Sequence, residues 1–112
     1  MEEQLTFPDG LKPVLPNVFL SRVTRFIADN DLKDISEDIY DELEAAVDFL
    51  AETNTLPPEY KLHLLVKQPW LGYLEFHLFD DILIIAKYNN RQNTFKFLWI
   101  KTHEELHDGN IE

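Results

Sequence analysis

The sequence predicts an α+β domain in which an N-terminal helical hairpin packs on one face of an antiparallel sheet of three to four strands. Two observations carry this prediction. Apolar residues recur with helical spacing in the first half of the chain, and they alternate with a period of two in the second half. No internal repeat or low-complexity tract interrupts the 112 residues, so we expect a single domain over residues 1–112.

The N-terminal segment is predicted to hold little regular structure. Three prolines, at positions 8, 13 and 16, interrupt the stretch "LTFPDGLKPVLP". Because proline lacks the backbone N–H that a sheet ladder requires, this stretch predicts a loop with at most a short edge strand.

Two amphipathic helices are predicted to follow. Asn17 is suited to cap the first and Ser36 to cap the second. Their apolar faces consist of Phe19, Val23, Phe26 and Ile27 in the first helix, and of Ile35, Ile39, Leu43, Val47 and Leu50 in the second. The link over residues 30–34 is short enough to predict an antiparallel hairpin. The stretch "NTLPP" ends the second helix, because proline cannot continue it.

Three strands are predicted in the second half of the chain, in "GYLEFHLF", "DILIIAKY" and "TFKFLWIK", which are rich in β-branched and aromatic residues. The stretch "NNRQN" predicts a hairpin loop between the last two strands. Thr102 and Glu105 have the spacing of a capping box, which predicts a short helical turn after the last strand.

The first of these strands alternates between two sets of side chains, Leu74, Phe76 and Leu78 on one face and Tyr73, Glu75 and His77 on the other. We expect the apolar set to face the core. His77 is therefore expected on the opposite face, where a lone histidine is most simply an ordinary surface residue.

Charge is unevenly distributed along the chain. The 21 acidic and 10 basic residues give a formal net charge of −11. Residues 1–56 are strongly acidic, whereas basic residues outnumber acidic ones within 60–101. An acidic chain neutralises phosphates poorly, so we do not expect tight binding of free nucleic acid. The acidic half is most simply a solvated helix surface, with a basic partner as the alternative.

The composition also bears on compartment and cofactors. The chain has no cysteine, which excludes disulfides and thiolate metal sites and fits a reducing cytoplasm. No apolar run reaches the ~18–20 residues of a membrane helix, and "MEEQLTFPDG" does not resemble a signal peptide. There is no Gly-rich phosphate loop and no HExxH pair. We therefore expect a cytoplasmic protein with no membrane contact, no cofactor and no metal.

Three histidines stand in apolar or strand-adjacent segments, at positions 63, 77 and 103. They could be isolated imidazoles, or they could converge on one site. A zinc site formed with Asp81 is a further alternative, although the spacing is unspecific. Periodicity alone does not decide between these interpretations.

The stretch from Leu56 to Leu106 resembles the C-terminal half of YafQ-type toxins in the RelE/ParE superfamily of bacterial toxin–antitoxin systems. Four segments carry the resemblance: "LPPEYKLHLL" (family pattern LPxxYxDHxL), "WLGYLEFH" (WxGYRExH), "DDILIIAKY" (an aspartate, then an apolar strand) and "KTHEEL" (GTHxxL). They occur in the family order with nearly the family spacing. The RelE/ParE-like fold, two helices against a twisted antiparallel sheet, agrees with the fold predicted above.

This resemblance implies a ribosome-dependent endoribonuclease that cleaves mRNA without a metal and so inhibits translation. Its partners would be a cognate antitoxin, the ribosome and mRNA, with operator DNA reached only through the antitoxin. The catalytic residues implied are His63, His77, Asp81 and His103. We expect His77 and His103 to transfer protons, because histidine titrates near neutral pH, with His63 and Asp81 assisting. Which histidine is acid and which is base is left open.

The chain also departs from the family pattern, most seriously where Trp99 replaces an arginine. Such a cation would stabilise the negative charge that develops on the phosphate. Lys61, Arg91 and Lys101 are the candidates for binding the substrate phosphate or RNA in its place. Three further positions differ from the pattern: Ile82, Lys101 and His107.

Two other functions are carried as alternatives. One is a non-catalytic binding member of the same superfamily, such as a ParE-like gyrase inhibitor, which the missing arginine and the acidic composition favour. The other is an unrelated acidic interaction protein whose histidines are incidental. Three aligned histidines favour the ribonuclease.

Overall fold

The computed structural model describes residues 5–79 and 81–107. Within them, five strands and three α-helices follow one another as β1 (Lys12–Val14), α1 (Asn17–Asp29), α2 (Ser36–Thr53), β2 (His63–Leu64), β3 (Leu74–Phe79), β4 (Ile82–Asn89), β5 (Thr94–Lys101) and α3 (His103–His107). Single 3-10 turns at Lys33–Ile35 and Pro58–Tyr60 precede α2 and β2. None of the helices in these ranges has the length and apolar character needed to cross a bilayer.

The strands form one mixed sheet in the order β1-β5-β4-β3-β2. The predicted α+β class and the three main strands are confirmed, but the sheet has five strands rather than three to four. The proline-rich segment contributes β1, which pairs in parallel with β5 at Thr94–Lys96. The two-residue strand β2 pairs antiparallel with β3. Both additions are too short to show a sequence period, and both matter for the site.

The two long helices lie on one face of the sheet, α1 chiefly against β5 and α2 against β1 and β3. All four apolar residues predicted for the face of α1 are buried, as are Ile39, Leu43 and Leu50 of α2. Together with Phe76, Phe95 and Phe97 of the sheet they form the hydrophobic core.

The predicted helix caps are wrong. Pro16 occupies the N-cap of α1 in an extended conformation, so Asn17 is already helical. At α2 the preceding 3-10 turn runs directly into the helix, which places Ile35 at the boundary and Ser36 within the helix. The helix ends as expected, at Thr53, and the next residue, Asn54, takes the left-handed conformation (φ 61°) that favours asparagine or glycine.

Candidate active site

The face of the sheet opposite α1 and α2 is packed rather than open to solvent. Leu74, Phe76 and Leu78 face the main core as predicted, yet Glu75, from the alternate set, is only 5% exposed. The segment 65–73 and helix α3 cover this second face, and the indole Nε1 of Trp70 donates a hydrogen bond to the carbonyl of Leu106 at 3.1 Å.

The predicted capping box is present at the start of α3. The Thr102 backbone N–H donates to Glu105 Oε1 at 2.9 Å, and the Glu105 N–H donates to Thr102 Oγ1 at 3.2 Å. This reciprocal pair turns the chain sharply as β5 ends. It brings α3, and with it His103, to one end of the second face.

His63 and His77 meet at the carboxylate of Glu75. Oε1 of Glu75 lies 3.5 Å from Nε2 of His63 and 3.3 Å from Nε2 of His77. The register explains this convergence, because His63 in β2 is directly opposite Glu75, and His77 follows Glu75 by two residues on the same face. The other nitrogen of His63 is fixed by the backbone, since Nδ1 lies 2.8 Å from the carbonyl oxygen of Lys61.

His103 completes the cluster from the far side. Its ring stands edge-on to that of His77, with centroids 5.3 Å apart. Oδ1 of Asp81, in the turn before β4, accepts hydrogen bonds from Nδ1 (2.9 Å) and from the backbone N–H (3.2 Å) of His103. Because Nδ1 is committed to Asp81, Nε2 of His103 is the nitrogen left for a substrate. The four residues expected to be catalytic thus lie in one connected cluster.

The two central imidazoles have different surroundings. The side chain of His77 is 19% exposed, whereas that of His103 is 52% exposed. Burial lowers the pKa of His77 below its ordinary 6.5. The Glu75 carboxylate acts in the opposite direction, and the positive charges of His103 and Lys61 lower the pKa a little further. Hydrogen bonds from His103 lower the pKa of the Asp81 carboxyl, which keeps it ionised near neutral pH.

A cleft of about 1040 Å³ opens beside the cluster, between the α1–α2 connection and the β3–β4 turn. His77, Asp81 and Lys61 are among its lining residues. Tyr60 also lines it, and burial together with the Glu42 carboxylate, 3.2 Å from the hydroxyl, raises the pKa of the phenol to about 12. A flexible segment of substrate could therefore reach His77 from this side.

The structure separates the three cations that were candidates for binding phosphate. Lys61 lies beside His77, in a left-handed conformation (φ 53°) that turns the chain into β2. Lys101 is on the second face but only 3% exposed. Arg91 lies in the hairpin loop between β4 and β5, at the end of β4 away from Asp81. Of the three, only Lys61 is both exposed and next to the cluster.

Glu75 is the one residue of the cluster that the sequence analysis did not single out. The sequence does place Glu75 beside His77, because residues two apart in a strand lie on the same face. Its importance depends on β2, whose register brings His63 to the same carboxylate. Among residues 5–79 and 81–107, no three histidine, aspartate or glutamate side chains are arranged to hold a metal ion.

Solved structures of bacterial toxins share this architecture. A chain of the E. coli DinJ–YafQ complex aligns with a TM-score of 0.60 and 26% identity over 86% of this chain and 97% of its own length. A metal-bound toxin from Helicobacter pylori aligns with a TM-score of 0.62 and 25% identity, over 86% of this chain and 98% of its own length. E. coli YafQ from strain BL21(DE3) aligns with a TM-score of 0.62 and 22% identity, over 86% of this chain and 97% of its own length. The fold is therefore one found in small bacterial toxins.

The particular family follows from a family model. The model for YafQ, the bacterial toxin of a type II toxin–antitoxin system, matches residues 20–108. The chain belongs to this YafQ toxin family, which excludes the unrelated interaction protein considered above. No functionally curated protein matches the chain at a significant level.

Proposed function

We propose that this chain is the toxin of a type II toxin–antitoxin pair and that it cleaves mRNA on the ribosome by acid–base chemistry. One observation carries the enzymatic part of the proposal. The imidazoles of His77 and His103, one largely buried and one half-exposed, stand 5.3 Å apart, and His77 lines a cleft. Cleavage of RNA by its own 2′-OH needs one group to take a proton and one to give a proton.

His77 is assigned as the general base. Its lowered pKa keeps the ring neutral at neutral pH, so a ring nitrogen can accept the proton of the ribose 2′-OH. Glu75, at 3.3 Å from Nε2, holds the ring in orientation and leaves Nδ1 to act. The deprotonated 2′ oxygen then forms a bond to the adjacent phosphorus.

His103 is assigned as the general acid. The Asp81 carboxylate accepts Nδ1–H and stabilises the imidazolium, whose Nε2–H is directed away from Asp81. This proton passes to the 5′ oxygen as the bond from phosphorus to that oxygen breaks. The products are a 2′,3′-cyclic phosphate and a 5′-hydroxyl end, and the two histidines have exchanged protonation states. Lys61, whose charge acts on His77, is assigned to the negative charge that develops on the phosphate.

Expression of the chain alone in bacteria is expected to arrest growth and translation, and co-expression of a cognate antitoxin should relieve the arrest. The cleaved mRNA should carry 5′-hydroxyl ends, which accept phosphate from a polynucleotide kinase without prior phosphatase treatment. Growth arrest with intact mRNA would contradict the ribonuclease and would favour the non-catalytic binding function. Relief by the antitoxin would still support a toxin in that case.

The pH dependence of cleavage tests which histidine is which. The rate should rise with pH through the lowered pKa of His77, as its ring loses the proton that keeps it from acting as a base. Asp81→Asn removes the carboxylate that holds Nδ1 of His103, so the rate is expected to fall while the pH of this rise stays in place. Single-turnover rates from about pH 5 to about pH 9 measure the rise in both proteins. A shift of the rise in Asp81→Asn would reverse the two assignments.

A further inference from the structure

The outer edge of β5 is paired with a strand along its first residues and contacts an arginine side chain further along. β1 pairs only with Thr94–Lys96, so no strand covers the remainder of this edge among the described residues. There the carbonyl of Leu98 accepts a hydrogen bond of 2.7 Å from Nη1 of Arg22 in α1. The register shift of the sheet between Ile85 and Ala86 falls opposite Leu98. Arg22 thus reaches from the helix layer around the edge of the sheet.

The guanidinium of Arg22 lies on the ring of Trp99, with Cζ 5.0 Å from the ring centroid. Trp99 is itself held by the edges of Trp70 and Tyr73, at centroid distances of 5.6 and 5.8 Å. Stacking on an aromatic ring fixes a guanidinium without neutralising it. Arg22 is therefore held in place by an aromatic ring and a carbonyl oxygen, neither of which removes its charge.

Within residues 5–79 and 81–107, Arg22 has no acidic partner. The chain has 21 acidic residues, yet among the described residues no carboxylate lies within salt-bridge distance of Arg22, and its guanidinium makes no hydrogen bond besides that to Leu98. Most of its five N–H donors are therefore left for an anion.

A cavity of about 360 Å³ adjoins this guanidinium, between α1, the end of β5 and α3. Arg25, an exposed residue of α1, also lines it. Its lining holds three basic side chains, those of Arg22, Arg25 and Lys101, and two carboxylates, those of Asp29 and Glu105. The net charge of the lining is therefore positive, which suits an anionic ligand.

The distance from the histidines decides which anion fits. Trp99 pairs with Ile85, and Ile85 pairs with Glu75, so the backbone of Trp99 is two strand spacings, roughly 10 Å, from that of Glu75. Because Arg22 approaches Trp99 from α1 at the outer strand β5, we place it beside the phosphate that reacts between His77 and His103 rather than at it. This position suits a different phosphate of the same extended strand.

We propose that Arg22, held on the ring of Trp99, binds a backbone phosphate of the RNA that flanks the reacting phosphate, with Arg25 as a second contact. This proposal rests on the ribonuclease function proposed above. It also gives a role to Trp99, which stands where the resemblance places an arginine. Trp99 stands at the position of the family arginine, and its ring holds the guanidinium of Arg22 from α1.

Binding of a fluorescein-labelled single-stranded oligoribonucleotide at low ionic strength tests the site without relying on cleavage. The protein carries His77→Gln so that the probe is not consumed. In that background Arg22→Gln is expected to weaken binding about tenfold, or ~1.4 kcal/mol, through the loss of one charged hydrogen-bonding contact. The slope of log affinity against log salt should fall by about 0.7, as for one lost contact to single-stranded nucleic acid. A purely structural role would leave this slope unchanged.

Controls separate a local site from general charge. Lys12→Gln removes one positive charge at an exposed position of β1 and should leave affinity nearly unchanged, whereas Arg25→Gln should weaken binding by a smaller factor than Arg22→Gln. Glutamine retains an amide that can donate to the Leu98 carbonyl, and thermal unfolding verifies that each variant is folded. Equal losses for Arg22→Gln and Lys12→Gln, or no binding at low salt, would overturn the proposal. Binding that depends on Arg22 in a protein that cleaves no mRNA would reject only the ribonuclease.

Discussion

Replacing His77 or His103 by glutamine is expected to lower the rate of mRNA cleavage by about 10²–10⁴-fold, the usual contribution of one general acid or base. One ring nitrogen of His77 contacts Glu75, and one ring nitrogen of His103 contacts Asp81. The amide of glutamine can keep each of these polar contacts. The protein should therefore stay folded while proton transfer is lost. The double variant should cost little more than the worse single variant, because the two groups act in one concerted exchange.

The measurement is single-turnover cleavage of ribosome-bound mRNA, together with growth after induced expression. Lys87→Gln provides a matched control, because Lys87 lies beyond the cluster on the same sheet face, with Nζ 4.8 Å from the ring centroid of Tyr73. It should cleave at nearly the unaltered rate. A folded double variant that still arrests growth would remove the catalytic proposal and leave a toxin that acts by binding.

Phe76→Ala is expected to destabilise the fold by about 3–5 kcal/mol, a large part of the ~5–15 kcal/mol that stabilises a domain of this size. The ring is fully buried and lies against Tyr60, Phe95 and Phe97, at centroid distances of 6.1, 6.3 and 5.7 Å. Its removal leaves a cavity beneath the strand that carries Glu75 and His77.

Chemical denaturation of Phe76→Ala and of the unaltered chain gives the difference in free energy of unfolding. Val66→Ala is the control, because Val66 is 72% exposed and should change stability by less than about 0.5 kcal/mol. Equal, small effects of the two substitutions would mean that the aromatic core under β3 does not support the sheet. We also expect cleavage to fall in Phe76→Ala below the temperature at which it unfolds, since the strand beneath the site is loosened.

The sequence was informative where a residue's neighbours lie within one helix or strand. The buried faces of α1 and α2, the alternation of β3 and the capping box at Thr102 follow from local periodicity, and the structure confirms them. Pairing between distant segments was not predictable in the same way. The parallel contact of β1 with β5 joins residues about eighty positions apart, and a three-residue strand has no period to detect.

The candidate site, like the fold, was only partly predictable from the sequence. Its three histidines and Asp81 were identified through the family resemblance, since spacing alone left them as isolated residues. Glu75 and Arg22 were not identified, because each depends on a contact made across the fold. Glu75 gains its two histidines through the register of β2, and Arg22 reaches Trp99 only around the free edge of β5. Neither contact has a local sequence pattern.

The cluster draws on segments that are synthesised at different times. His63 comes first in the chain, His77 and Asp81 follow, and His103 comes last, directly after β5. A chain that has been synthesised only as far as β4 therefore lacks His103, which is the general acid in the mechanism proposed above. The proposed site remains incomplete until forty residues beyond His63 have been synthesised.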